Sequence, residues 1–416
     1  MISKKEITIK SRLLGFETHR NCKIKAHELI MSFFLMIGQR DSSYSCWASF
    51  FTKVTGKLTS KQSIFNRIND QWVSLIKLLV CQTLEKVILG TSKIKTHPIF
   101  SNIYLQDSTS ISLPEILKSI FPGNISRGKK KAVAKINTII NLTHGVCSHL
   151  GIISYAIPEQ RLSDSIFNFA KAGDLVIRDM GYFVLNVFEK MNERNIYFIS
   201  RLPFHIGIYK NGKKIKTTEL FKNKKIIDTN VFCGTGVQLP VRIIAIKLNP
   251  IQAAEKIRKA KQDRNKRLNH SKEYYKNLEY LIFITNVEIE KCDSLEIAKF
   301  YRMRWQVEIL FKSWKSGMNI ENLIPEARQK TERIESILYL FLLYIMWFER
   351  KIMTQLNIEN ISIIKLIKEI IRNAEYYLTE TLNQKNIKEL EYKCRYETRS
   401  RVNAKAAYNK FNSSFD

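Results

Sequence analysis

Apolar residues recur at helical spacing through residues 1–95. KIKAHELIMSFFLMIG and the longer TGKLTSKQSIFNRINDQWVSLIKLLVCQTLEKVIL both place large side chains three and four apart, on one helix face. Thr59 or Ser60 is placed to cap the second helix. The short GKLTSKQSIFNRI ahead of the longer amphipathic run reads as a helix-turn-helix or as part of a plain helical bundle.

At residue 102 the pattern changes to strands. NIYLQDSTSISLP predicts a short apolar strand running into Asp107, and RGKKKAVAK a basic loop after it. KINTIINLTHGVCSHLGIISYAI predicts two more strands, and a polar helix is expected from about Leu162 to Ala172. GDLVIRDMGYF then supplies a glycine turn, a short apolar strand and Asp179. Strand, strand pair, helix and strand in that order make an α/β core pattern.

From about 190 to 290 the chain is β-rich. NIYFISRLP, FHIGIY, VRIIAIKLN and LEYLIFITNVE are strand-like, with NPIQAAEKIRKAKQDRNKRLNHSKEYYKN as a strongly basic helix among them. This reads as mainly β material inserted between two parts of the α/β core. A long helix begins at Asp293, which forms a capping box with Glu296, and ends at Gly317. The apolar stretch Ile337–Phe348 is too short to span a bilayer and predicts a buried helix behind it. The tail from about 385 is basic, with RYETRSRVNAK, and either frays or adds a DNA contact.

A chain of 416 residues exceeds one ordinary core and points to two or three domains. Lys and Arg number 68 against 38 Asp and Glu, a formal net charge of +30. Such a field captures polyanions, so nucleic acid is the first candidate partner and a membrane surface the second. Seven cysteines without a CxxC pair argue against a disulfide scaffold and a standard zinc finger. MISKKEITIKSRLLG lacks a sustained apolar stretch, so no secretory signal is expected there.

The most informative stretch is FYRMRWQVEILFKSWKSGM, residues 300–318. On a regular helix Tyr301, Arg304, Glu308 and Lys315 fall within an arc of about 60°, and Phe300, Met303, Val307, Leu310, Phe311 and Trp314 within a separate arc of about 100°. The bland reading is an amphipathic helix on which Arg304 and Glu308 pair across one turn. The context adds Asp107 and Asp179, each at the expected end of an apolar strand, where α/β folds open ligand crevices. Three clustered carboxylates repel one another and DNA alike. Two Mg²⁺ or Mn²⁺ ions relieve both repulsions and catalyse in-line phosphoryl substitution.

The spacing Tyr301, Arg304, Glu308, Lys315 resembles the tyrosine–arginine–glutamate–lysine (YREK) signature of bacterial insertion-sequence DDE transposases. YRMRWQVEILFKSWK is similar to that family's helix, QDSTSISLP to its first-aspartate region, GDLVIRDMGYF to its second, and LIFITN to the strand before the final helix. The resemblance covers about residues 55–345. It implies an α/β fold: a ribonuclease H-like catalytic core interrupted by a mainly β insertion, with an N-terminal helical domain and C-terminal helices. The implied division is a helical DNA-binding or dimerisation domain at 1–95 and a first core part at 96–189. The insertion would then span 190–279, the second core part 280–350, and a basic helical tail 351–416.

The same resemblance implies cut-and-paste transposition. Water cleaves a transposon end, and the freed 3′-hydroxyl is joined to target DNA. Asp107, Asp179 and Glu308 would be the metal-binding catalytic triad. Tyr301, Arg304 and Lys315 would contact the DNA end. Arg201 in YFISRLP resembles a family arginine near the cleaved end. Lys135 matches a family lysine or is a solvated charge, and Lys129, Lys130 and Lys131 track phosphates or belong to a solvated loop. Implied partners are double-stranded DNA, inverted-repeat ends, target DNA and a second copy in a synaptic homodimer, with no membrane and a cytoplasmic, nucleoid-associated location. Some relatives stack a flipped base on a Trp in the insertion, but none of Trp47, Trp72, Trp305, Trp314 and Trp347 lies there. That leaves a hairpin step open, with Phe204 or Tyr209 as substitutes.

Two alternatives keep the motif but change the function: a metal-dependent nuclease that does not join strands, and a non-catalytic DNA-end-binding protein. A third is a basic structural protein with a coincidental motif. Asp107 and Asp179 also read as turn residues, and Arg178 either tunes Asp179 or faces away from it. His144 and His149 read as structural.

Overall fold

The computed structural model describes residues 3–19, 21–39, 41–89, 98–126, 129–144, 146–221, 224–236, 238–262, 271–323, 331–356, 361–380 and 382–395. Among these, eleven strands form one mixed sheet. They are β1 (Ile103–Leu113), β2 (Pro122–Ser126), β3 (Lys129–Asn141), β4 (Val146–Ser154), β5 (Leu175–Arg178), β6 (Tyr197–Arg201), β7 (Ile208–Lys210), β8 (Lys213–Ile215), β9 (Ile226–Cys233), β10 (Leu239–Lys247) and β11 (Tyr280–Thr285). Their order is β2-β3-β1-β5-β6-β11-β10-β9-β7-β8, with β4 also paired to β3. β5 runs parallel to β1 and to β6, and the remaining pairs are antiparallel. Strands β7 to β10, from the segment expected as an insertion, extend this sheet through β11.

Both faces of the sheet centre are covered, which is why its strands read as apolar runs rather than as alternating ones. Leu105, Ile136 and Ile140 pack on the helices Asp70–Leu89 and Thr331–Lys351. Ile177, Ile199 and Phe283 pack on Ile297, Phe300 and Tyr301 of the helix Ser294–Arg302. Tyr104, Val176 and Phe198 face the other way, onto Val187, Phe188 and Met191 of the helix Leu185–Glu193. The helix Thr331–Lys351 buries every residue from Ile337 to Phe348 except Tyr339, which is half-buried, because it lies between sheet and N-terminal helices. Among the described residues no helix is long and apolar enough to cross a membrane.

Local expectations need correction in four places. β1 is eleven residues long, and Asp107 sits inside it rather than at its end. The apolar run continues past the aspartate because Ile111 and Leu113 reach the same core as Leu105. Lys129–Lys131, expected in a loop, begin β3 opposite β2. The polar helix expected near Leu162 is a succession of 3₁₀ turns, Glu159–Asn168. The basic helix is described as Pro250–Lys261 and Lys272–Asn277, and the residues between them, like the tail beyond 395, lie outside the described ones.

Candidate active site

The parallel register of β1 and β5 runs from Ile103 opposite Leu175 to Gln106 opposite Arg178. Asp107 and Asp179 are the next residue on each strand. Side chains alternate along a strand, so both carboxyl groups share the face of Leu105 and Ile177. At this level the neighbours part: β5 gives way to the 3₁₀ turn Met180–Tyr182, while β1 continues along β3 alone. The parting of parallel neighbours is where an α/β sheet opens a crevice. Thr138 Oγ1 donates to the Asp107 carbonyl at 3.0 Å, and the Ser108 N–H donates to Asp107 Oδ1 at 2.7 Å.

The third carboxylate arrives on a helix. Asp293 caps it as expected, accepting from the N–H groups of Leu295 and Glu296. The helix is not regular after that. Its N–H groups at Met303 and Arg304 bond back only three residues, to the Phe300 and Tyr301 carbonyls at 3.0 and 3.1 Å. It resumes as Trp305–Lys312 and widens to a π turn at Ser313–Gly317. A constant 100° step therefore fails twice along this segment.

The tightened turn directs Arg304 inward. Its Nη1 donates to Asp107 Oδ2 at 3.1 Å, and its Nη2 donates to Glu308 Oε1 at 2.5 Å. Tyr301 is buried against the Phe283 ring at 5.0 Å and donates its hydroxyl to Asp179 Oδ1 at 3.1 Å. Burial opposes the charge on Arg304, yet Tyr301, Asp179, Asp107 and Glu308 together raise its pKa. Burial pushes Asp107 up to about 6; the Ser108 N–H and Arg304 oppose the shift, while Asp179 and Glu159 add to it. Asp107 and Glu308 thus share one guanidinium, while Asp179 is held by the hydroxyl of Tyr301 on the preceding turn.

Carboxylate oxygens are the donors that Mg²⁺ and Mn²⁺ prefer, so the chemistry of this set fits such ions. Among the described residues, however, no three His, Cys, Asp or Glu side chains lie close enough to hold one ion. The cation between Asp107 and Glu308 here is Arg304.

The remaining expected residues divide. Lys315, on the π turn, is half-buried and has no ion-pair partner among the described residues. Arg201 ends β6 opposite Phe283 and so shares the face of Tyr301. Lys135 is opposite Ser110 on β1, which puts it on the reverse face from Asp107. There it is buried, donating to the Ile157 carbonyl at 3.1 Å and pairing with Glu159 at 3.6 Å. It is neither at the acidic cluster nor solvated. The side chains of Lys129, Lys130 and Lys131 lie outside the described ones. Arg178 also faces backward, fully buried, with Nη2 donating to the Ser163 carbonyl at 2.5 Å. His144 contacts Asn102 and His149 lies beside Phe169, so each serves its own packing.

Sequence reasoning missed what supports the two aspartates from behind. Glu159 Oε1 accepts from Ser108 Oγ at 2.5 Å, and a Cβ on Gly181 would collide with Glu159 Oε2. One carboxylate therefore touches the residue after Asp107 and the turn after Asp179. It also missed Asp228 and Arg242, a buried bidentate pair at 2.7 and 2.5 Å. Arg242 further donates to the Val287 and Cys292 carbonyls, and Ser294 Oγ donates to Asp228, so the pair fixes the start of the helix that leads to Glu308. No local motif marks either set.

A family model described as "Transposase DDE domain" matches residues 99–345. The transposase for insertion sequence element IS231E of Bacillus thuringiensis subsp. finitimus is 27% identical over 351 residues, 77% of this chain and 71% of the relative. That for IS231B of Bacillus thuringiensis subsp. berliner is 27% identical over 389 residues, 86% of this chain and 80% of the relative. That for IS1151 of Clostridium perfringens is 23% identical over 316 residues, 70% of this chain and 66% of the relative. Among solved structures, the cryo-EM structure of a piggyBac transposase synaptic complex with hairpin DNA matches with TM-score 0.42 and 10% identity, over 99% of this chain and 81% of that one.

Proposed function

This chain belongs to the transposase DDE domain family, a family of enzymes, and from that premise we propose that it is a cut-and-paste DNA transposase of the YREK kind. The observation that carries the proposal is that Arg304 bridges Asp107 and Glu308 while Tyr301, one turn earlier, bonds Asp179. The order β4-β3-β1-β5-β6, three antiparallel strands followed by two parallel ones, supports reading the core as ribonuclease H-like. In this reading residues 1–95 bind an end or dimerise, and 190–279 are the insertion.

The reaction is two phosphoryl substitutions. In the first, the oxygen of water bonds to phosphorus at the transposon end and a 3′-hydroxyl leaves. In the second, that hydroxyl bonds to a target phosphorus and another P–O bond breaks. Asp107, Asp179 and Glu308 would hold two Mg²⁺ or Mn²⁺ ions, which when bound supply Lewis-acid stabilisation of the attacking and leaving oxygens. Tyr301 fixes the rotamer of Asp179 through its hydroxyl. Arg304 neutralises Asp107 and Glu308 until a DNA phosphate competes for its guanidinium. Lys315 contributes a further cation for the DNA backbone. Double-stranded transposon ends, target DNA and a second copy of the chain are the partners this chemistry requires.

The test is cleavage and joining of supercoiled DNA carrying the element's own ends, with Mg²⁺, comparing wild type with Glu308→Gln. Loss of both products with retained end binding is expected. Equal activity would remove Glu308 from the chemistry, and cleavage without joined product would reduce the protein to a nuclease.

A further inference from the structure

Asp107 and Asp179 lie just beyond the last paired residues of β1 and β5, Gln106 and Arg178. Pairing with β3 continues through Asp107, so its backbone is fixed on that side. The Asp179 backbone has no such support, because the ladder between β5 and β6 also ends at Arg178, opposite Ser200. Whatever sets its distance from Asp107 comes from outside the ladders.

The 3₁₀ segment Glu159–Asn168 reaches the neighbours of both aspartates. Along a strand these neighbours face away from the aspartate itself, so the segment meets them on the reverse side of the sheet. On β1, Gln106 Nε2 donates to the Leu162 carbonyl at 2.9 Å and to Ser165 Oγ at 3.1 Å, while Ser108 donates to Glu159. On β5, Arg178 donates to the Ser163 carbonyl. Ser163 Oγ in turn donates to the Tyr182 carbonyl at 2.9 Å, and the Tyr182 N–H closes the turn onto the Asp179 carbonyl at 3.1 Å. Ser163 therefore bonds the chain on both sides of Asp179, through its carbonyl before and its hydroxyl after. Gln106, Ser163, Arg178 and Tyr182 are all fully buried.

Stability alone does not account for Arg178. Its Nε and Nη1 have no hydrogen-bond partner among the described residues, and burial pushes its pKa down to about 9. A buried guanidinium with donors unmet weakens a fold, and an apolar side chain of similar length would serve the core as well or better. The bond it does make is the one that ties β5 to Ser163.

We propose that the segment Glu159–Asn168 is a brace that sets the spacing of Asp107 and Asp179 for a divalent metal, with Ser163 and Arg178 as positioning residues. The proposal rests on the reading of the three acids as a metal site, and concerns the chain behind them rather than a further ligand. Groups that orient metal ligands from behind typically change metal affinity by about 10–100-fold when substituted.

The experiment titrates Mn²⁺ into the full chain without DNA and reads the free ion by electron paramagnetic resonance. The thermal midpoint of each metal-free protein is measured beside it. Asp179→Asn marks the binding that belongs to the acidic site. Ser163→Ala, which loses the bond to Tyr182, is expected to weaken Mn²⁺ binding there about tenfold. Arg178→Met should weaken it by a similar factor, although losing a positive charge would by attraction alone tighten a cation. Its thermal midpoint should equal or exceed that of wild type. Ser32→Ala is the control for lost stability: this buried hydroxyl joins the Trp47 indole to the Leu29 carbonyl among the N-terminal helices, and its loss should leave Mn²⁺ affinity unchanged. Wild-type affinity in either Ser163→Ala or Arg178→Met would overturn the brace and leave the metal site standing. A fall in the Arg178→Met midpoint in step with its affinity, or an affinity loss in Ser32→Ala as large as theirs, would also overturn it. A wild-type chain that binds no Mn²⁺, or binds it no better than Asp179→Asn, would sink the metal-site reading and the brace with it.

Discussion

Arg304 donates to Asp107 across 3.1 Å, although the two residues stand on different elements 197 positions apart. Both side chains are largely buried. The guanidinium is the counter-charge beside Asp107 that offsets the neighbouring charge of Asp179. Arg304→Gln should therefore lower stability by about 1–3 kcal/mol in EDTA, from the loss of a part-buried ion pair. Added Mn²⁺ should then raise the melting temperature of the variant more than that of wild type. Thermal unfolding with and without Mn²⁺ measures this, and equal shifts in the two proteins would show that Arg304 does not stand in for an ion.

Gly181 has no room for a side chain. A Cβ there would collide with Glu159 Oε2, and Glu159 is held by Ser108 and Lys135. Gly181→Ala should cost about 1–3 kcal/mol and slow end cleavage, because the displaced turn carries Asp179. Glu159→Ala frees the space. In urea denaturation the double variant should lose clearly less than the two single changes added together. Strict additivity would show that the turn does not rest on Glu159.

Asp228 and Arg242 form the best-satisfied ion pair near the site. Asp228→Ala leaves Arg242 buried with only the Val287 and Cys292 carbonyls, and should cost about 3 kcal/mol. Burial acts against the Asp228 charge, but the hydrogen bonds from Arg242 and Ser294 outweigh it and hold its pKa below the usual range. The pair therefore stabilises the fold above the unfolded carboxyl pKa and weakens as acid protonates the folded carboxylate. Denaturant midpoints of wild type and Asp228→Ala should converge towards low pH. A constant gap down to pH 2 would remove the ionised pair as its cause.

Glu349 is buried on the central helix against Cys147, with its Oε1 3.1 Å from the thiol. Burial raises its pKa from 4.5 to about 7, against the opposing hydrogen bonds from Cys147. The folded chain thus keeps a proton that the unfolded chain has released, and stability falls as pH rises from 4.5 towards 7, then levels. Glu349→Gln should match wild type near pH 4 and exceed it by up to about 3 kcal/mol at pH 8. A wild-type profile unchanged by the substitution would place the pH dependence elsewhere.

Helical and strand periods, the Asp293 capping box and the buried character of Ile337–Phe348 were legible because each depends on residues within one or two turns of each other. Asp179 was legible as a strand-end residue for the same reason. Asp107 was read one step short: the polar run Asp107–Ser110 looks like a strand's end, and only pairing with β3 carries the strand onward. The regular wheel aligned Tyr301, Arg304, Glu308 and Lys315. The 3₁₀ step at Arg304 and the π turn at Lys315 arise where the helix fits two cores at once, with Phe300 and Met303 in one and Val307, Phe311 and Trp314 in the other.

By itself the sequence determined which segments fold locally, which faces are apolar and which residue types carry the chemistry, since spacing and side-chain character act over a few residues. Only the tertiary structure decided that Lys135 turns inward and that Glu159 braces both aspartate strands. Those relations join positions tens of residues apart. They exist because sheet register and packing bring charges together in a medium of low polarity, where each must find a partner or pay for its absence.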